Sequence, residues 1–100
     1  MEPTNDSQKV DQEVLLTFEV EDYRAVFTAK VFSDLIGLDL IEAAVFVIFE
    51  ALDYTEYVGE NYARILMRND SGEILVCEDQ AGHCEEWLKN MLVSAEILND

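Results

Sequence analysis

The side chains best placed to do chemistry are carboxylates set among rings. Glu42, Glu50 and Asp53 fall at i, i+8 and i+11, one strip of a helix with 3.6 residues per turn; Phe46 lies mid-strip and Phe49 borders it. Immediately after, Asp53, Glu56 and Glu60 alternate with Tyr54, Tyr57 and Tyr62. Carboxylates so arranged pair with arginine and lysine, while the rings pack on aliphatic stems or on apolar surface nearby. This is the chemistry of a protein interface, with aromatic anchors inside an acidic rim. The plainer reading is a helix end whose rings cover the edge of the core while its acids are solvated. On the interface reading, Glu42, Phe46, Glu50, Asp53, Tyr54, Glu56, Tyr57 and Glu60 are the expected partner-binding residues.

Other chemistries find fewer parts. His83, Cys84 and Cys77 form the one soft-ligand group, one short of the four that a structural zinc asks for. Cys84 also falls on an apolar helical stripe, which favours a buried free thiol. One histidine, four serines and no glycine-rich phosphate loop leave no nucleophile–base pair that spacing brings together. The run Asp70, Ser71, Gly72, Glu73 lacks the ladder of acids that a calcium loop needs. The expectation is a binding protein rather than an enzyme, with no catalytic residue, metal or cofactor.

Charge narrows the partner. The 100 residues carry 22 acids and 6 bases, a net charge of −16, yet half are apolar, so a folded core is expected. Solubility of a small domain asks for a net charge of magnitude about 2–8. The surplus argues against direct binding of nucleic acid or of an anionic membrane and favours a basic partner. Duplex DNA carries one charge per about 1.7 Å, so the net charge equals that of about 27 Å of duplex. In charge density alone the chain is similar to small phage proteins that block nucleases or restriction and CRISPR machinery by occupying their DNA sites. The expected function is therefore inhibition of a nucleic-acid-binding protein by occupation of its basic groove, as in phage anti-CRISPR or anti-restriction proteins or in toxin immunity. The alternative is a structural or chaperone-like module that self-associates, as a homodimer for instance, or holds a client through its central apolar helix. No basic start precedes an apolar run, no apolar run approaches a membrane span, and two cysteines are too few for a disulfide framework, so a cytoplasmic setting is expected.

Several elements must position these groups. Residues 39–53 read as the central helix, capped by Asp39 with Glu42 at capping-box spacing. Residues 1–11 read as a disordered arm and 12–100 as one domain. Residues 13–20 and 23–31 alternate as strands; a turn at Glu21 and Asp22 would pair Glu19 with Arg24 and Glu13 with Lys30. Residues 22–32 also fit a helix, with Tyr23, Val26, Phe27 and Val31 on one side. Residues 32–38 lead into the central helix through a short helical turn ending at Gly37. Strands at 62–68 and 73–78 are joined by a turn at 69–72 and place Ala63, Ile65 and Met67 on one face with Ile74 and Val76. Residues 83–98 keep helical spacing through Cys84, Trp87, Leu88, Met91, Leu92, Ala95 and Leu98. The order β-β-α-β-β-α predicts an α+β fold: a four-stranded antiparallel sheet with two helices packed on one face.

Overall fold

A computed structural model describes residues 9–57, 59 and 61–98. The elements run β1 (Val10–Val20), β2 (Tyr23–Ser33), α1 (Gly37–Ala51), β3 (Asp53–Tyr57), β4 (Tyr62–Arg68), β5 (Ile74–Gln80), a 3-10 turn (Ala81–His83), α2 (Cys84–Met91) and β6 (Leu92–Ile97). The class is α+β, but the strands form two three-stranded antiparallel sheets, ordered β2-β1-β6 and β3-β4-β5, in place of the expected single four-stranded sheet.

The β1–β2 hairpin follows from its alternation. Val20 lies opposite Tyr23, Phe18 opposite Ala25 and Leu16 opposite Phe27, all on the inner face. On the outer face Arg24 meets Glu19 at 3.3 Å and Lys30 meets Glu13 at 3.9 Å, the two cross-strand ion pairs that the sequence implies. Glu21 takes a φ of 53° to make the turn, a left-handed conformation usually left to glycine or asparagine. Val10 and Asp11 already belong to β1, opposite Ser33 and Phe32, so the strand starts three residues before the alternation signals it. The rest of the expected arm, residues 1–8, lies outside the described residues.

Three local expectations are corrected. First, α1 begins at Gly37 (φ 59°) and Ile36 occupies the N-cap with no side-chain hydrogen bond; Asp39 sits in the first turn, so the capping box does not form. Second, Asn69 N–H donates to the Glu73 carbonyl, and the Asn69 side-chain oxygen accepts from the Ser71 and Glu73 amides, so Asp70, Ser71 and Gly72 alone form the loop. That loop sets Arg68 opposite Ile74, a register in which Ala63, Ile65 and Met67 share the inner face with Leu75 and Cys77, while Ile74 and Val76 turn outward. A slip of one residue exchanges the faces of a strand. Third, the expected helix at 83–98 ends at Met91, and Leu92–Ile97 pairs with β1 as an edge strand with a bulge between Thr17 and Phe18.

Both helices lie on the inner sides of the sheets. α1 packs on β2 and β1, and α2 packs on β1, β4, β5 and α1. The main core gathers Leu16 and Phe18 of β1, Leu40, Ala44, Val45 and Ile48 of α1, Met67, and Leu88 and Met91 of α2. A smaller core under β4 joins Ala63, Ile65, Cys77 and Cys84, flanked by Phe49, Leu52 and Trp87. The resulting body is thin and long, 52 × 33 × 18 Å, with a radius of gyration of 15.6 Å where a compact chain of this length has about 13 Å. A body two layers thick leaves the outer face of each sheet and the outer side of each helix open.

Candidate functional site

The outer side of α1 is set by what its inner side buries. Leu40, Ala44, Val45 and Ile48 are buried on the sheet, while Asp39, Glu42, Phe46 and Glu50 return every three or four residues on the opposite side and are exposed. Phe46 keeps 46% of its surface in water. Its neighbours one turn away in each direction are Glu42 and Glu50, and no lysine or arginine occurs anywhere on α1.

Helix electrostatics make Glu50 unusual. The C-terminal end of a helix favours cations, by about 0.3–1 kcal/mol for each at the surface. α2 obeys this, with Glu85 and Glu86 in its first turn and Lys89 in its last. The last turn of α1 has no base and holds Glu50 instead. The acid stands where the backbone dipole disfavours it.

The remaining expected residues divide between two faces. The helix stops at Ala51, so Asp53 begins β3 opposite Leu66 and leaves the strip to which an unbroken helix would assign it. Tyr54, opposite Ile65 on the inner face, sets its ring 5.8 Å from that of Phe49 and donates its hydroxyl to Glu56 at 3.1 Å. Loss of surrounding water, followed by that carboxylate, raises the Tyr54 phenol above its ordinary value. Phe49 and Tyr54 thus join the helix to Glu56. Tyr57 points to the other side of the sheet, stacks on Tyr62 at 6.0 Å and donates to Glu78 at 3.2 Å. Glu60 lies outside the described residues. A recess of about 320 Å³ at the end of the β3–β4 hairpin is lined by Glu56, both stacked tyrosines, Gly59, Asn61 and Ala81.

Of the soft-ligand residues, His83 is exposed with its Nδ1 3.5 Å from Asp79, while both cysteines are buried. Cys77 and Cys84 are buried and unbridged, with the Cys84 Sγ 3.9 Å from the carbonyl oxygens of Ala63 and Gln80. Burial pushes the Cys77 thiol up to about 11, and the Cys84 thiol is raised for the same reason. Among the described residues no three histidine, cysteine or acidic side chains gather as metal ligands, and no helix is long and apolar enough to cross a membrane.

Two functional candidates escape a sequence reading that looks only for acids. Arg64 and Arg68 stand on the open outer face of β4 with Leu66 between them, beside Ile74 and Val76 of β5. Among the described residues neither arginine makes an ion pair or side-chain hydrogen bond. The Arg-x-Leu-x-Arg alternation already sets these three on the face opposite Ala63, Ile65 and Met67; what the sequence misplaced is their neighbours, which are Ile74 and Val76 in place of Leu75 and Cys77.

Fold and site together define a thin two-layer α+β protein whose central helix carries acids and no bases around an exposed ring. The chain belongs to a family of unknown function, DUF5406, whose sequence pattern matches residues 2–99. No curated protein and no solved structure matches it.

Proposed function

We propose that this is an acidic binding protein that inhibits a nucleic-acid-binding protein by occupying its basic groove, with the outer side of α1 as the contact. The observation that carries the reading is Phe46, half in water and bracketed by Glu42 and Glu50 on a helix without a base. An aromatic anchor buried at the centre of a contact supplies most of its energy, while flanking carboxylates steer a basic groove towards it and fix the register. Glu50 supports the same reading, because an acid that weakens its own helix gains a purpose when it meets a cation on the partner. Tyr54 and Glu56 extend the surface beyond the helix through Phe49.

Spacing refines what is imitated. Asp39, Glu42 and Glu50 span about 16 Å of helix axis, over which duplex DNA carries about ten phosphates. The helix does not replicate a duplex charge for charge. It places a few carboxylates around an apolar plug, and the wider net charge of −16 supplies long-range attraction. Phage anti-defence and toxin immunity are the settings that such a groove-blocking device suits. The experiment is capture of a basic partner from the native host followed by competition with duplex DNA across a salt series. Displacement by DNA and a steep loss of affinity between 50 and 200 mM salt are the expected results. Binding indifferent to salt and to DNA removes the groove-blocking reading.

A further inference from the structure

Two open surfaces of the molecule match each other. On α1 the order along the exposed strip is Glu42, Phe46, Glu50: acid, ring, acid, with the acids about 12 Å apart along the axis. On the outer face of the β3-β4-β5 sheet the order along β4 is Arg64, Leu66, Arg68: base, apolar, base, with the bases about 13 Å apart along the strand. Ile74 and Val76, both exposed, widen the apolar centre on one side of Leu66. Asp53 lies opposite Leu66 on the other side and Glu78 opposite Arg64, neither within ion-pair distance of an arginine. Both arginines lack a partner among the described residues of a chain in which acids outnumber bases 22 to 6. The other bases of the sheets and of α2, Arg24, Lys30 and Lys89, are each already paired with a glutamate.

We propose that the outer face of β3-β4-β5 is the docking site for α1 of a second copy of this chain, with Glu42 and Glu50 of one copy meeting Arg64 and Arg68 of the next around Phe46 and Leu66. The contact joins two different patches of the chain, and such a heterologous pairing repeated head to tail generates a ring or an open stack. It uses the α1 strip assigned to the partner under the proposed function, but it needs no partner to exist. Where both hold, stacking covers the strip until a basic groove displaces the neighbouring copy.

Salt decides when the contact forms. Two bodies of charge −16 repel one another, and at 0.01 M salt a screening length of about 30 Å exceeds the thickness of the molecule. At 0.15 M the screening length is about 8 Å, which weakens the overall repulsion more than it weakens pairs in contact. At 1 M the contact pairs are screened as well. Self-association therefore passes through a maximum near physiological salt.

The test is sedimentation velocity on the full chain over a concentration series at these three salts. The wild type is expected to gain mass with concentration, most strongly at 0.15 M. The variant E42R/E50R and the variant R64E/R68E each set like charges face to face and are expected to associate about tenfold or more weakly. An equimolar mixture of the two restores opposite charges at every contact and is expected to recover assembly. Recovery in the mixture shows that both variants fold; R64Q/R68Q, which removes charge without reversing it, gives an intermediate loss and guards against misfolding of the reversed pair. A wild type that stays monomeric, reversed variants that assemble as the wild type does, or folded variants whose mixture stays monomeric each overturn the proposal. R64E/R68E is expected to keep its binding to a DNA-competed partner, so a failure of stacking and a failure of groove binding are read separately.

Discussion

The hydroxyl of Tyr23 donates to the carbonyl oxygen of Met67 at 3.0 Å, a buried hydrogen bond that ties β2 of one sheet to β4 of the other across 44 positions of chain. A second tie lies beside it, from the Asn69 side-chain amide to the Arg24 carbonyl at 2.8 Å. Two three-stranded sheets share no ladder, so such bonds and the helix layer decide their relative placement. Tyr23→Phe keeps the ring and removes the bond, leaving the Met67 carbonyl with one donor fewer. A loss of about 1 kcal/mol is expected, seen as a fall of about 4–8 °C in the thermal midpoint. Hydrogen exchange is expected to quicken in β4 and β5 ahead of β1.

The α1 strip makes an opposite prediction for stability and for binding. Phe46→Ala removes a ring that is 46% exposed, so its cost stays near about 1 kcal/mol rather than the 3–5 of a core phenylalanine, offset in part by the better helix propensity of alanine. Glu50→Lys places a cation in a last turn that has none and is expected to raise stability by about 0.3–1 kcal/mol. Both changes are expected to weaken capture of a basic partner. Thermal denaturation alongside a binding titration separates the two effects. If Glu50→Lys destabilises the fold, or Phe46→Ala unfolds it, the strip belongs to the core.

How much of this was legible depends on how local each signal is. The register of the β1–β2 hairpin, though not the outer ends of its strands, was readable to the residue because Glu19 with Arg24 and Glu13 with Lys30 fix one register among few. The exposed trio Glu42, Phe46 and Glu50 was readable because the rest of the helix is apolar. β6 was not, and its bulge explains why. An extra residue near Val93 breaks the two-residue period, so the inward residues Leu92 and Ala95 follow Leu88 and Met91 at helical spacing. β3 escaped because a largely exposed edge strand has no apolar alternation to show. The split into two sheets escaped because nothing local states that β1, and not β4, accepts the last strand.

Alkaline pH tests the small core under β4. Burial first, then the neighbouring Cys84, raises the Cys77 thiol from an ordinary 9.0 to about 11 in the folded chain. Between those values the unfolded chain has released a proton that the folded chain still holds. Stability is therefore full below pH 9 and falls as pH rises towards 11. Tyr23 adds to the fall higher up, its phenol raised by burial and then by Glu73. Denaturant midpoints measured from pH 8 to 11 are expected to decline, with Cys77→Ala flattening the slope. Labelling of either thiol by a maleimide at pH 8 is expected to track unfolding; rapid labelling of the native chain contradicts the buried placement.

The loop between β4 and β5 is the hinge of the outward register, and two glycines isolate its backbone requirement. Gly72 takes a φ of 84°, whereas Gly82 in the 3-10 turn before α2 does not take a positive φ. A Cβ built at either meets nothing within 4 Å, so sterics with neighbours cancel from the comparison. Gly72→Ala is expected to cost about 1–2 kcal/mol through the left-handed conformation alone. Gly82→Ala is expected to be neutral or to stabilise by up to about 1 kcal/mol, because alanine has less freedom to lose on folding. The stakes at Gly72 reach beyond stability. The loop Asp70, Ser71, Gly72 sets Ile74 and Val76 beside Arg64, Leu66 and Arg68 on the open face, and a register shifted by one residue would present Leu75 and Cys77 there instead. Thermal midpoints for the two variants, with sedimentation of Gly72→Ala at 0.15 M salt, are expected to show stability and self-association falling together at Gly72 and neither falling at Gly82.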